Sequence, residues 1–352
     1  ATWRSAKQVF PKRCFSPVLV IDGSSRYHVV AMCGDKIGYA EGSATGAWTS
    51  HTLEPPARHI EREPKIAVDG RDLYLAYTRY GPVVDADTCG GPYSVRYEDL
   101  GVYYRKRTLP DGEWSKPRRL GRANDILDSL RVADGTLLAA MVGPSGTSLV
   151  YQSVDGGSRV RSRLKGVGDE FSLRVGSDGK ARVAHVAGDG SLRLVTSDGT
   201  KTTSMIVADK GTLLNPLLVL GPGNQPHLIW TRYAKEDGGC GGGTGGMSPE
   251  GTYYATLVDG KWKPERVTRA VGPMSFVLDT ETGAVHVVVN GERDRRAGDR
   301  LTHYERAPGG GWTATPLEGS FDSEFTIRLD EADGTLVVAY QDGNVIRAMT
   351  RR

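Results

Sequence analysis

An internal repeat is the feature that most constrains the fold of this chain. Four tryptophans follow glycine-containing turns and each opens a short strand-like run, in GAWTS (46–50), GEWSK (112–116), GKWKP (260–264) and GGWTA (310–314). Seven further strand-like segments, beginning near residues 27, 73, 136, 181, 226, 284 and 335, recur at intervals of 45 to 63 residues. A base period near 45 residues with insertions is typical of a four-stranded propeller blade, and helical periodicity is almost absent.

The two ends of the chain complement each other within this repeat. The segment ATWRSAKQV (1–9) has the pattern of a fourth strand, and the last repeat stops after its third strand, in NVIRAMTRR (344–352). We therefore predict an all-β, seven-bladed β-propeller closed by the N-terminal strand joining the last blade, which removes an exposed sheet edge. The alternative is an open stack of β-meanders or a pair of β-sandwiches. The predicted single domain covers 1–352, with blades at approximately 11–53, 54–122, 123–166, 167–209, 210–269, 270–319 and 320–352 plus 1–10.

The repeat unit resembles the blade of secreted bacterial propellers with sialidase-type (BNR, or Asp-box) repeats. It shares their order of a strand, an Asp-Gly turn, a strand with His or Tyr, a strand with Tyr and a Gly-Trp strand. Only the segment 153–157 (SVDGG) resembles an Asp-box, and it lacks the aromatic residue that usually follows. The family's Arg-Ile-Pro motif has its nearest match at 62–64 (REP), and this departure argues against sialidase activity. The resemblance also implies that the loops between strands two and three share one face.

Composition excludes some partners and indicates a compartment. The 45 basic residues nearly balance the 42 acidic ones, so we expect no nucleic-acid partner. No apolar run is long enough to span a membrane. The chain opens at Ala1 without a methionine and has four cysteines, which predicts a secreted, extracellular chain after removal of a signal peptide, although a trimmed domain would begin in the same way.

Two long insertions are expected to carry the binding site. Both follow the tripeptide Thr-Arg-Tyr (78–80 and 231–233), and both contain one cysteine. Long loops on a rigid scaffold often carry function. The expected ligand-binding residues of this rim are Arg79, Tyr80, Tyr93, Arg232 and Tyr233.

The cysteines predict one crosslink and permit a second. Cys14 opens the first strand and Cys33 ends the second, so antiparallel pairing brings them within disulfide reach. Cys89 and Cys240, one in each insertion, are either bonded to each other as a tether or free thiols.

Acidic residues recur just before first strands, and they are the second group of candidate ligand-binding residues: Glu63, Asp128, Glu170 and Glu324. They line one channel mouth in the functional interpretation, and form ion pairs and capped turns in the alternative one. Asp85 and Asp87 are a weak calcium candidate, and no other cofactor is expected. The histidines at 28, 185, 227 and 286 lie inside strands and are expected to be structural, whereas His59 is the one candidate base.

These observations favour a secreted binding propeller that recognises a glycan or cell-surface carbohydrate in a lectin-like manner. It would act alone or as the recognition component of a larger secreted assembly with a protein partner. The first alternative is a glycan-cleaving enzyme, a glycoside hydrolase or polysaccharide lyase, for which no catalytic residue can be assigned. The second is a protein-interaction scaffold, since fold alone does not decide function.

Overall fold

The computed structural model describes residues 3–10, 14–43, 47–53, 59–86, 95–133, 135–143, 146–157, 159–164, 167, 171–209, 211–235, 247–272, 274–294, 298–317, 325–330, 333–342 and 345–351. Across these ranges the one helical element is a 3-10 turn at Pro222–Asn224, and no helix is long and apolar enough to cross a membrane. Most of the other described residues are in strands, as the short alternating segments and frequent glycine turns predict.

The strands form seven four-stranded antiparallel sheets, and the fold is a seven-bladed β-propeller, as predicted from the repeat. The chain divides into two compact units. The amino-terminal unit comprises Ala6–Arg163 and Asn344–Met349, and the carboxyl-terminal unit comprises Ala1–Ser5, Leu164–Gly343 and Thr350–Arg352.

The amino-terminal unit contains three complete sheets, each with its strands in sequence order. They are β2 (Cys14–Ile21), β3 (Tyr27–Cys33), β4 (Lys36–Gly42) and β5 (Thr49–Leu53); β6 (Ile60–Asp69), β7 (Asp72–Ala86), β8 (Val95–Thr108) and β9 (Arg118–Arg119); and β10 (Ile126–Ala133), β11 (Thr136–Gly143), β12 (Gly146–Ser153) and β13 (Arg159–Arg163).

The carboxyl-terminal unit also contains three complete sheets in sequence order. They are β14 (Phe171–Val175), β15 (Ala181–Val186), β16 (Leu192–Ser197) and β17 (Thr202–Ala208); β18 (Thr212–Leu220), β19 (Pro226–Lys235), β20 (Met247–Val258) and β21 (Lys261–Thr268); and β22 (Met274–Leu278), β23 (Val285–Asp294), β24 (Gly298–Arg306) and β25 (Trp312–Pro316).

The seventh sheet uses strands from both ends of the chain. Its order is β1 (Lys7–Gln8), β28 (Val345–Arg351), β27 (Thr335–Asp342) and β26 (Phe325–Asp330). Lys7 lies opposite Ala348 in antiparallel register, and Trp3 forms an isolated bridge with Arg351. The amino-terminal strand therefore supplies the fourth strand of the last blade, which confirms the prediction.

The first strand of every blade contributes one fully packed aliphatic or aromatic side chain at the same position of the repeat. These residues are at most 3% exposed, and they are Leu19, Ile66, Leu130, Leu173, Leu218, Phe276 and Ile327. Burial of such a side chain contributes about 1.5–3 kcal/mol. Hydroxyl groups fix neighbouring first strands beside this core: the Leu218 amide donates to Ser172 Oγ at 3.0 Å, and the Ile327 amide donates to Ser275 Oγ at 3.2 Å.

Three first strands share one irregularity, a bulge before a proline. Ser16, Glu63 and Asn215 have φ values of 55°, 55° and 54°, and each directly precedes a proline. The pairing of each first strand with its second strand shifts register at this point. Proline cannot donate to a sheet ladder, so a bulge is where a strand can hold it. As a result, the side chain of the residue before the proline points in a different direction from that of a regular strand residue.

Two of the four repeated tryptophans pack against a tyrosine of the preceding blade. In the amino-terminal unit, Trp114 packs edge-on against Tyr39 of the preceding blade, with ring centroids 5.4 Å apart, and the Arg107 guanidinium lies 5.2 Å from the same ring. In the carboxyl-terminal unit, Trp312 packs against Tyr254 in the same way at 5.6 Å. The tryptophan spacing therefore reflects one packing contact made again along the chain.

Candidate functional site

The predicted rim residue Arg79 lies in a buried ion-pair cluster. It is 6% exposed, and its Nη2 donates to Glu61 Oε1 at 2.7 Å and to the Tyr77 hydroxyl at 3.1 Å. Arg105 approaches the same Glu61 oxygen at 3.5 Å. The Arg79 guanidinium also lies 4.2 Å from the centroid of the Tyr103 ring. These contacts occupy Arg79 inside the amino-terminal unit, where it holds strands β6, β7 and β8 together.

The equivalent arginine of the carboxyl-terminal unit is in a different environment. Arg232 Nε lies 2.8 Å from Glu250 Oε2, and the two side chains are 39% and 35% exposed. Tyr233 follows it and is half-buried, as is Tyr80 in the other unit. The same tripeptide thus gives a buried cluster in one unit and an accessible polar pair in the other, because Glu61 faces Arg79 on the first strand whereas Leu213 faces Arg232.

The acidic candidates Glu63 and Asp128 lie inside first strands rather than before them. Both are at register shifts, in β6 and β10 respectively. Thr78 links the two strands: its hydroxyl donates to Glu63 Oε2 at 2.9 Å and accepts from the Leu127 amide at 3.1 Å. Burial raises the pKa of Asp128 to about 6, and the Glu63 carboxylate adds to this rise. The basic side chains Lys65 and Arg131 oppose it.

The remaining candidates are placed as follows. Cys14 and Cys33 are disulfide-bonded and lie opposite each other on β2 and β3, as predicted. His59 directly precedes β6, and its Nδ1 is buried with no hydrogen-bond partner among the described residues. No group of three or more metal-ligating side chains occurs in the described part of the chain. Several predicted site residues lie outside the described residues, or have only their backbone described: Tyr93, Glu170, Glu324, Cys89, Cys240, Asp85 and Asp87.

A groove of about 380 Å³ lies on the sheet β14–β17 of the carboxyl-terminal unit. Its walls come from the short β15–β16 turn and the outer strand β17, and they include Asp189, Arg193, Val195 and Ser204. The β15–β16 connection is a short turn (187–191), whereas the equivalent connections of two other blades carry long insertions. The volume falls within the range of small-molecule sites.

The Asp189–Arg193 pair gives the groove a fixed polar wall. Arg193 Nη2 donates to Asp189 Oδ2 at 2.7 Å, and Arg193 Nε donates to the Ser191 hydroxyl at 2.9 Å. The Ser191 hydroxyl and amide donate to Asp189 Oδ1 at 2.6 Å and 3.1 Å. These Ser191 hydrogen bonds and the Arg193 cation lower the pKa of Asp189 to about 2, so the carboxylate is ionised at neutral pH.

His185 lines the groove, and its burial favours the neutral form of the imidazole. It is 3% exposed and lies opposite Arg193 in the sheet. Burial lowers the pKa of this imidazole, because desolvation penalises the cation. The apolar side chains of Leu164 and Val195 complete this part of the surface. The groove therefore combines an uncharged floor with an ion pair whose charges cancel.

The groove and the Arg232–Glu250 pair are connected through the backbone. The Gly211 amide donates to the Gly190 carbonyl at 3.3 Å, which joins the β15–β16 turn to the segment that leads into β18. A side chain at Gly211 would contact the Arg232 guanidinium at 3.7 Å. Two accessible ion pairs therefore lie at one edge of the carboxyl-terminal unit. Arg232 could be predicted from the repeated Thr-Arg-Tyr segment, whereas Asp189 and Arg193 could not, since their only local signal is an Asp-Gly-Ser turn of a common type.

Comparisons with known proteins show the fold. No family model and no curated protein matches this chain. Virginiamycin B lyase from Staphylococcus aureus, a catalytically inactive variant with quinupristin, is similar with a TM-score of 0.62 at 11% identity, covering 100% of both chains. AofleA from Arthrobotrys oligospora has a TM-score of 0.51 at 11% identity, covering 90% of each chain. Trypanosoma rangeli sialidase in complex with sialic acid has a TM-score of 0.50 at 11% identity, and this chain covers 58% of its length.

Proposed function

We propose that this chain is a carbohydrate-binding propeller, and that its lectin-like site is the groove on the sheet β14–β17 together with the Arg232–Glu250 pair. The observation that carries the proposal is the Asp189–Arg193 pair at the wall of the groove. A carboxylate and a guanidinium held side by side accept from and donate to neighbouring hydroxyl groups, as in a sugar diol. The hydrogen bonds to Ser191 fix this pair before a ligand binds, which reduces the entropic cost of binding.

The charges of the groove favour a neutral glycan over an acidic one. Asp189 and Arg193 compensate each other, and His185 is uncharged at neutral pH, so no unpaired cation faces the groove from these residues. An acidic sugar would bring a carboxylate close to Asp189 without a dedicated counter-charge. The exposed hydroxyls of Thr202 and Ser204 extend the hydrogen-bonding surface, and Val195 offers an apolar contact for sugar C–H groups.

Binding to a panel of neutral and sialylated oligosaccharides, followed by calorimetry on the best ligand, tests this function. Asp189→Asn should weaken binding about 10- to 100-fold, since a hydrogen bond to a charged group contributes about 1.5–3 kcal/mol. The matched control is Asp178→Asn, which alters another Asp–Arg pair four residues apart, Asp178–Arg182, outside the groove residues. Unchanged affinity in Asp189→Asn, or equal losses in both variants, would refute the assignment of the site.

A glycan-cleaving activity is the second candidate, and Asp128 is the observation that favours it. Its raised pKa, about 6, and its proximity to Glu63 are properties that a general acid uses. Release of reducing ends or of unsaturated sugars from a bound glycan, lost in Asp128→Asn, would support this activity. Retention of glycans without any release by the wild type supports a binding protein.

The Cys14–Cys33 disulfide supports a secreted location for the proposed function, because such bonds persist in oxidising compartments. A protein partner within a larger secreted assembly belongs to the same proposal. Detection of the full chain in culture medium, when it is expressed with and without a signal sequence, tests the location. Proteins that co-purify with it from that medium test for the partner.

A further inference from the structure

Two buried histidines form a stacked pair in the carboxyl-terminal unit. His286 on β23 and His303 on β24 have ring centroids 5.4 Å apart and an interplanar angle of 12°. His286 Nδ1 lies 3.2 Å from His303 Nε2. The two residues are 6% and 0% exposed. Neither histidine is part of the groove, so the function proposed above does not use them.

The protons of this pair are fixed by an arginine. Arg351 Nη1 lies 3.1 Å from His303 Nδ1, and a guanidinium can only donate. His303 Nδ1 is therefore the acceptor, its proton is on Nε2, and that proton is donated to His286 Nδ1. Each ring nitrogen that could take up a further proton already accepts one. Protonation of either histidine would set two donors against each other beside the Arg351 cation.

The segment before β1 depends on this arrangement. The indole of Trp3 packs edge-on against the His303 ring, with centroids 5.4 Å apart. Trp3 also forms a backbone bridge with Arg351, and the Arg4 amide donates to the Thr350 carbonyl at 2.8 Å. Arg351 is held in turn by Glu305, whose Oε2 lies 2.8 Å from Arg351 Nη2. The contacts of Arg351 with Glu305 and with His303 thus position the two groups that Trp3 touches, which are the His303 ring and the Arg351 backbone.

The equivalent junctions elsewhere have a tyrosine where this one has His303. Tyr254 occupies the position beneath Trp312, and its hydroxyl lies 2.6 Å from His227 Nδ1. Tyr39 occupies it beneath Trp114. A tyrosine does not titrate near neutral pH, so a pair of histidines distinguishes this junction from the other two.

We propose that the His286–His303 pair is a proton-sensitive latch, which holds residues 3–5 on β28 at neutral pH and releases them on acidification. The trigger is the loss of the acceptor on His303 Nδ1. Release exposes the pair to water, where each histidine can take up a proton without opposing a donor.

The surrounding charges support the direction of this response. Burial lowers the pKa of His303 to about 3, and His286 and Arg351 lower it further. Burial also lowers the pKa of His286, with Arg351 acting in the same direction and the carboxylates of Glu305 and Asp279 opposing it. These are the titratable groups that face the pair in the described part of the chain. Because the released state binds protons more readily than the latched state, acid favours release.

Hydrogen–deuterium exchange of the full chain, read on the peptide that contains the Arg4 amide, tests the latch. After correction for intrinsic exchange, protection should fall about tenfold per pH unit below about 6.5 for each histidine that takes up a proton on opening. The peptide of β12 (Gly146–Ser153), whose sheet contains no histidine, is the internal control and should keep its protection from pH 7 to pH 4.5. Equal loss in both peptides, or no loss at Arg4, would overturn the proposal.

Two variants separate the latch from general acid sensitivity. His303→Tyr installs the residue found beneath Trp312 and leaves one histidine in the pair, so the slope of Arg4 protection against pH should fall to that of a single proton or less. His286→Asn keeps an acceptor for the His303 Nε2 proton but does not titrate, so the pH dependence should become shallower. If the slope of Arg4 protection against pH is the same in the wild type and in His286→Asn, the pair is not the sensor, even where His303→Tyr fails to fold.

Discussion

Removal of the Glu61 charge tests how the arginine of the first Thr-Arg-Tyr segment is held. Glu61 is 0% exposed and faces two guanidinium groups, Arg79 at 2.7 Å and Arg105 at 3.5 Å. Glu61→Gln preserves the volume of the side chain and one acceptor oxygen, but it replaces the other oxygen by an NH2 donor and removes the negative charge that both cations face. Loss of one partner from a buried ion pair costs about 3–5 kcal/mol, since a desolvated charge remains uncompensated.

Two features of the cluster decide where in this range the cost falls. The Tyr103 ring lies 4.2 Å from the Arg79 guanidinium, and such a contact offsets about 1–2 kcal/mol when it is desolvated. The Tyr77 hydroxyl keeps its contacts with both arginines, at 3.1 Å to Arg79 Nη2 and 3.0 Å to Arg105 Nε. We therefore expect Glu61→Gln to reduce the free energy of unfolding by about 3 kcal/mol, the lower end of the range.

Urea unfolding at pH 7, followed by circular dichroism, measures this loss. Glu250→Gln is the matched control, because Glu250 pairs with the equivalent arginine at an accessible position. Exposed pairs contribute about 0.2–1 kcal/mol, so the control should lie close to the wild type. A Glu61→Gln protein within 1 kcal/mol of the wild type would refute the argument that the buried cluster holds these strands, as would equal losses in the two variants.

Two further measurements follow from the structure. Replacement of Cys14 and Cys33 by serine should lower the free energy of unfolding by about 3 kcal/mol, because the bond closes a loop of moderate length; equal urea midpoints for oxidised wild type and variant would contradict this. Asp128 has a folded pKa of about 6, above its ordinary value of 3.8, so its ionisation should reduce stability as pH rises from about 4 to 6. Asp128→Asn should remove that decline, which urea midpoints across this pH range would show, and an unchanged pH slope would count against the buried carboxyl.

The fold could be predicted because its strongest signal is local and repeated. Trp114 and Trp312 make the same contact in different blades, so their spacing reports the length of a blade. Cys14 and Cys33 could also be paired, since a single hairpin places them opposite each other. In both cases the residues lie close to a recognisable turn, and for the cysteines antiparallel pairing across that turn sets the contact.

The site could be predicted only in part, because burial depends on residues that are distant in sequence. Arg79 and Arg232 lie in identical tripeptides, yet the cross-strand neighbours Glu61 and Leu213 give them different environments. The bulge at Glu63 places this carboxylate inside a strand, although the alternating pattern places it before one. The groove depends on the absence of an insertion in one turn, which no motif marks.

The seventh sheet has a consequence for biosynthesis. Lys7 is synthesised before its partner Ala348 on β28, and six complete blades lie between the two in the sequence. The β1 strand therefore has no partner while those blades are made, and an unpaired edge invites misassociation. The β1 strand is the polar pair Lys-Gln, whereas most other strands are longer and more apolar. We infer that this polar composition limits misassociation until β28 emerges.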